Sequence, residues 1–210
     1  IGDNRWGNFP SFSAAWRISE EPFMKLLRSQ WLDNLKIRVS YGSLGNNSVG
    51  NYEAIPVLGS TKYVLNNLPV VGFYQSSIAN SNLTWESTSV TNVGIDWSFW
   101  KNRFSGSLDL YHKMTNDILI SLPAPFVLGT AGLPKQNAAK VRNRGIELSM
   151  SWKDKIGGFG YSIATNITYN RNKVIKFKGD EASYSGTTML KEGLPINIQY
   201  LLKVDRIVES

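Results

Sequence analysis

Hydrophobic and polar residues alternate one by one through long stretches of this chain. Phe159, Tyr161, Ile163, Thr165, Ile167 and Tyr169 fall on one face of an extended strand, and Gly160, Ser162, Ala164, Asn166, Thr168 and Asn170 fall on the other. The first face is apolar and begins and ends in aromatic rings; the second is small or polar. About seven such segments are predicted, at Phe9 to Ser19, Leu35 to Gly45, Leu83 to Trp100, Phe104 to Ile120, Val141 to Asp154, Phe159 to about Phe177, and Leu194 to Val208. Several exceed the about 5–6 residues of an ordinary globular strand. The apolar sets stay free of charge, a pattern typical of a barrel wall turned to lipid. The expected lipid-facing residues are Ile95, Trp97, Leu108, Leu110, Leu148, Met150, Ile163 and Ile167, with Ser149, Ser162 and Asn166 turned to the lumen.

The connections alternate in length. Lys101-Asn102-Arg103 and Lys155-Ile156-Gly157-Gly158 are tight, whereas Asn46 to Asn82, Ser121 to Lys140 and Gly179 to Lys191 are long. Short periplasmic turns and long outer loops are the outer-membrane arrangement. Trp97, Phe99, Trp100, Phe104, Trp152 and Phe159 crowd the short turns, as an interfacial girdle would. One connection differs: Glu20 and Glu21 followed by Phe23, Leu26, Leu27 and Trp31 predict a short amphipathic helix near Pro22 to Leu32, at the periplasmic rim. The fold class expected is therefore all-β: an antiparallel transmembrane β-barrel segment, incomplete as a barrel, with one short rim helix.

Composition narrows the function classes. The 210 residues contain no cysteine, which removes disulfides and thiolate metal sites. The net charge of +7 is spread over strand ends and turns and matches no nucleic-acid-binding module. Mean hydropathy is -0.21, which leaves a barrel open because half of each barrel strand is polar. No apolar run approaches the about 18 residues of a transmembrane helix. The chain opens Ile1-Gly2-Asp3-Asn4-Arg5 without an initiator Met or signal peptide, so an internal piece of a longer protein is expected.

Candidate chemistry is sparse. His112 falls on the outward face beyond the apolar band, with no nucleophile or orienting carboxylate at recognisable spacing, so an enzyme is the least favoured class. Asp180-Glu181 supplies two carboxylates where calcium takes six or more oxygens. No cofactor motif occurs. The long loops are the better place for function. Tyr52, Tyr63, Phe73 and Tyr74 lie among amides and hydroxyls that suit stacking on a glycan or peptide, and equally suit packing of the loop on itself or on a partner. Phe126 sits in the apolar stretch Pro123-Ala124-Pro125-Phe126-Val127-Leu128, a candidate partner contact.

Five stretches resemble the SusC/RagA family of TonB-dependent outer-membrane transporters. They are Asn4 to Arg17 (NRWGNFPSFSAAWR), Leu35 to Asn46 (LKIRVSYGSLGN), Asn82 to Glu86 with Thr91 to Asp96, Arg103 to Tyr111, and Asn143 to Leu148. Gly193-Leu194-Pro195 and Asp205-Arg206 stand where the family often has Gly-Tyr-Pro and Asp-Gly. The resemblance implies that residues 1–210 are a late stretch of a barrel of about 22 strands, without the plug, the TonB box or the terminal aromatic signal. It implies import of oligosaccharides or peptides across the outer membrane of a Gram-negative bacterium. The implied partners are a SusD-like surface lipoprotein, TonB acting through the plug, and membrane lipid; neither nucleic acid nor a cofactor is implied. Two rivals stay open: a secreted β-sandwich that binds glycans, which would bury its apolar face, and a passive porin.

Overall fold

The computed structural model describes residues 6–24, 31–48, 55–78, 80, 82–120, 135–179 and 182–201. The described residues hold eleven strands: β1 (Ser11–Arg17), β2 (Leu32–Asn46), β3 (Val57–Leu65), β4 (Leu68–Ser77), β5 (Glu86–Phe99), β6 (Phe104–Ile120), β7 (Gln136–Ile156), β8 (Phe159–Phe177), β9 (Ser183–Ser185), β10 (Thr188–Leu190) and β11 (Ile198–Gln199). Six of them form one antiparallel sheet in the order β1-β2-β5-β6-β7-β8. Among the described residues β3 and β4 form a two-stranded sheet, and β9, β10 and β11 form a small three-stranded one.

Register turns the alternation of each strand into continuous rows across the main sheet. One row runs Trp16, Ile37, Ile95, Leu108, Leu148, Ile167, and the next runs Ala14, Val39, Val93, Leu110, Ile146, Tyr169. Towards the short turns come Leu35, Trp97, Gly106, Met150 and Thr165, then Phe99, Phe104, Trp152 and Ile163. None of these rows contains a charge. On the opposite face the same strands present Arg17, Lys36, Asp96, Ser107, Ser149 and Asn166 in one row, and Ala15, Arg38, Gly94, Asp109, Glu147 and Thr168 in another. A slip of one residue would exchange the two faces, so the pattern specifies its own register.

Aromatic rings gather at the short-turn end. Trp31 stacks on Phe99 at 5.3 Å between centroids, Phe99 stacks on Phe104 at 6.1 Å, and Trp100 tilts against Trp152 at 5.9 Å. The β5–β6 turn is left-handed at Trp100, Lys101 and Asn102 (φ 54°, 58° and 60°), which is costly for residues with a Cβ. It is held from outside: the Asn102 N–H donates to Asp33 Oδ2 at 2.8 Å, and the Trp100 N–H donates to the Trp31 carbonyl at 2.9 Å. The small buried core lies at the other end, where Ala139, Val141, Val174 and Phe177 pack with Ile118, Ile120 and Leu190.

Three expectations are corrected. The helix near Pro22 to Leu32 is not an α-helix in its described part: 3₁₀ turns occupy Ile18–Glu20 and Pro22–Met24, residues 25–30 lie outside the described residues, and Leu32 already begins β2. Trp31 is drawn to Phe99 and to the Trp100 N–H, so the sheet claims the aromatic end that helical spacing assigned to an amphipathic face. The stretch Asn46 to Asn82, read as loop, carries the β3–β4 hairpin. The segment Leu194 to Val208, read as a long strand, shows only Ile198–Gln199 as strand among its described residues, paired to β10 rather than to β8. Gly193 (φ 86°) and Asn197 (φ 55°) turn the backbone left-handed on either side of Pro195, which prevents a regular strand there. Among the described residues β1 and β8 are thus the edges of an open sheet.

Candidate functional site

The polar face carries the densest interactions of the main sheet. Arg38 on β2 faces Asp96 on β5, with Nε 3.1 and 3.0 Å from the two carboxylate oxygens. Its Nη2 also donates to Asp109 Oδ2 on β6 at 2.8 Å. Lys36 Nζ reaches Asp96 Oδ2 at 2.9 Å, and Asn92 Nδ2 donates to Asp109 Oδ1 at 3.1 Å. The guanidinium fork therefore joins two carboxylates on two further strands, a geometry suited to Arg and not to Lys. Gly94 makes the reach possible: a Cβ there would stand 2.7 Å from Asp109 Oδ1 and 2.8 Å from Arg38 Cζ. These groups are half-buried, so they are attracted more strongly than in bulk water and keep access to solvent. The result is a rigid, hydrophilic wall.

None of Arg38, Asp96, Asp109 or Gly94 was singled out as a site in the sequence. The signal was present in outline: Lys36 and Arg38 share the polar parity of their strand, and Asp96 and Asp109 share that of theirs. Only register places them together.

Asn137 is a second node that sequence reasoning passed over. Its Nδ2 donates to the carbonyls of Thr84 and Asp117 at 2.9 and 2.8 Å, and its Oδ1 accepts from the Thr84 N–H at 3.0 Å. Asp117 itself has φ 55° at an irregularity in the β6–β7 register. One buried amide thus holds the entry to β5, the bulge in β6 and the start of β7 together.

Of the expected contact residues, Tyr63, Phe73 and Tyr74 lie on the β3–β4 hairpin and are exposed. Tyr63 and Tyr74 share one face, where each ring covers a cross-strand glycine: a Cβ on Gly72 would meet Tyr63 Cδ2 at 2.6 Å, and one on Gly59 would meet Tyr74 Cζ at 2.7 Å. Phe73 points to the other face, opposite Ser60. Tyr52 and Phe126 lie outside the described residues, as does the pair Asp180-Glu181. Of the eight apolar residues expected to face lipid, all lie on one face of the main sheet. Ile163 is 63% exposed and Ile167 54%; Ile95 and Leu110 are also exposed, and Trp97, Leu108, Leu148 and Met150 are half-buried by their neighbours on the same face. Ser149, Ser162 and Asn166 lie on the opposite face. His112 is exposed, in a row between Thr91 and Arg144. Among the described residues no group of three or more His, Asp or Glu could hold a metal ion.

Comparison with known proteins agrees with this architecture. The family profile described as "TonB dependent receptor-like, beta-barrel" matches residues 1–197. TonB-dependent receptor P39 of Formosa agariphila is 36% identical over 202 residues, covering 95% of this chain and 19% of the relative. TonB-dependent receptor SusC of Bacteroides thetaiotaomicron is 34% identical over 193 residues, covering 87% and 18%. Among solved structures, the RagAB peptide transporter superposes with a TM-score of 0.76 at 28% identity, over 89% of this chain and 20% of that one. The chain spans about a fifth of the length of these proteins. A profile match over nearly the whole chain and relatives above 30% identity agree with the open antiparallel sheet: the chain belongs to the TonB dependent receptor-like β-barrel family.

Proposed function

We propose that residues 1–210 form a late part of the barrel wall of an outer-membrane importer of oligosaccharides or peptides, driven through TonB and capped by a SusD-like surface lipoprotein. The observation that carries this reading is the set of charge-free apolar rows crossing the main sheet, which no second sheet covers among the described residues. In this reading Ile95, Trp97, Leu108, Leu110, Leu148, Met150, Ile163 and Ile167 meet lipid, and the Arg38 network lines the lumen. The peptide alternative is supported by the solved RagAB peptide transporter, and the nutrient-import reading by the similarity to TonB-dependent receptor SusC. Tyr63, Phe73 and Tyr74 on the hairpin, with Tyr52 and Phe126, are the proposed contacts for substrate or lipoprotein.

The test is uptake by the host. Deleting the gene should abolish growth on one class of oligosaccharide or peptide supplied as sole nutrient, and deleting TonB should do the same. Uptake that persists without TonB makes the protein a passive pore. A protein recovered in soluble form from the periplasm or medium favours the sandwich rival.

A further inference from the structure

Immediately beyond the apolar band, on the same face and towards the long loops, the sheet turns basic. The row after Ala14, Val39, Val93, Leu110, Ile146 and Tyr169 is Phe12, Tyr41, Thr91, His112, Arg144 and Arg171. The next is Ser43, Ser89, Met114, Arg142 and Lys173. One step further, Lys140 pairs with Lys176. Six cations thus stand together on β7 and β8, and no carboxylate occupies these rows. None of the six is ion-paired within the described residues. Asp109 and Glu147, at neighbouring heights, are on the opposite face; Asp117 lines a pocket with Lys140 and Lys176 at the loop-ward end of the cluster without forming an ion pair with either among the described residues. Below the cations a groove of about 510 Å³ is lined by Val93, Leu110, Ile146 and Tyr169, with Arg144 and Arg171 at its rim.

We propose that this surface binds a phosphorylated lipid of the outer leaflet, its phosphates held by Arg142, Arg144, Arg171 and Lys173 and an acyl chain lying in the groove below. The inference rests on the barrel-wall reading, which turns this face to lipid and the long loops outward. Charge complementarity selects the occupant. A cluster of like cations repels itself unless anions neutralise it, and the guanidinium fork matches phosphate oxygens. Apolar rows directly beneath exclude a freely soluble anion as the best fit, because they offer a surface that only an acyl chain would cover.

The experiment uses the full-length protein in detergent, re-exposed to phosphatidylcholine vesicles doped with diphosphorylated lipid A or with its dephosphorylated form. Retained lipid is read by mass spectrometry. The phosphorylated form should be retained preferentially. Arg144→Gln with Arg171→Gln should lower its retention about thirtyfold, each lost charge near the surface contributing about fivefold, and Arg144→Lys with Arg171→Lys should largely keep it. Equal retention of the dephosphorylated lipid, or no loss in the double Gln variant, overturns the proposal. Release of the lipid by millimolar inorganic phosphate makes this a site for a free anion and also overturns it. If the Gln variant does not fold, judged by its mobility on unheated gels, the comparison of the two lipids on the unaltered protein decides. A fluorophore at Leu148→Cys, quenched by brominated acyl chains, reads lipid contact separately. Quenching without phosphate preference removes the lipid site and leaves the barrel wall; absence of quenching removes both.

Discussion

A methyl group at Gly94 would stand 2.7 Å from Asp109 Oδ1, where the Arg38 guanidinium now passes over β5. Gly94→Ala is therefore expected to break the link between β2 and β6 while leaving the Arg38–Asp96 pair. A lost charge-assisted hydrogen bond and local crowding together should cost about 1–3 kcal/mol, read as a lowered urea midpoint of the folded full-length barrel. In an Arg38→Met background the same change should cost much less, because the crossing side chain is already gone; equal costs in both backgrounds would refute the strap. Position decides the outcome just as sharply at Leu148 and Ser149, adjacent residues on opposite faces. Leu148→Arg should destabilise by about 2–4 kcal/mol if it lies near the bilayer midplane. Ser149→Arg, on the polar face, should be nearly silent in the same unfolding measurement. A comparable loss at both positions would mean that neither face meets lipid.

At the loop-bearing end the Asn137 amide joins three segments of the main sheet. Asn137→Ala removes three hydrogen bonds and leaves the Thr84 N–H and the Thr84 and Asp117 carbonyls to find water. A loss of about 2–3 kcal/mol is expected, together with faster hydrogen exchange at Thr84; unchanged exchange there would show that the clamp is unimportant. Strand existence was legible throughout the main sheet, because alternation at period two survives any tertiary context that keeps one face dry. β6 and β8 have the bounds read from the sequence, Phe104–Ile120 and Phe159–Phe177. Where alternation weakened, the reading failed. β7 begins at Gln136, earlier than the expected Val141, because burial there comes from long-range partners and not from alternation: Asn137 bonds Thr84 and Asp117, and Ala139 packs with Phe177 and Ile118. The β3–β4 hairpin was missed because Val57–Leu65 and Leu68–Ser77 do not alternate at period two, although Asn66-Asn67, left-handed at φ 50° and 63°, separates them. A two-residue turn of that kind is the local signal for a hairpin. The Arg38 node was not legible, since no spacing within one strand reports which residue lies opposite on another.

At the scale of the molecule, the main sheet ends on two unpaired strands among the described residues, β1 and β8. Hydrocarbon does not tolerate open edges. Residues 1–210 expressed alone with an export signal should therefore aggregate or be degraded; a protease-resistant barrel with heat-dependent gel mobility from this stretch alone would contradict the open sheet. The basic rows above the apolar band and the ring-rich end below it bound the band on both sides. On β8 the apolar face runs from Phe159 to Tyr169, ten steps in sequence, or about 33 Å along a strand. Tilted by about 40°, as barrel strands are, it spans about 25 Å of depth. The wall is in effect a ruler of membrane thickness. It fits a thin bilayer, and a thicker one must compress around it or leave its polar rims in hydrocarbon. Full-length protein should consequently be most stable to urea in short-chain lipids and progressively less so as the acyl chains lengthen. A flat dependence on chain length would mean that the rings and cations do not set the borders, and that the protein carries no intrinsic address for the thinner of the cell's two membranes.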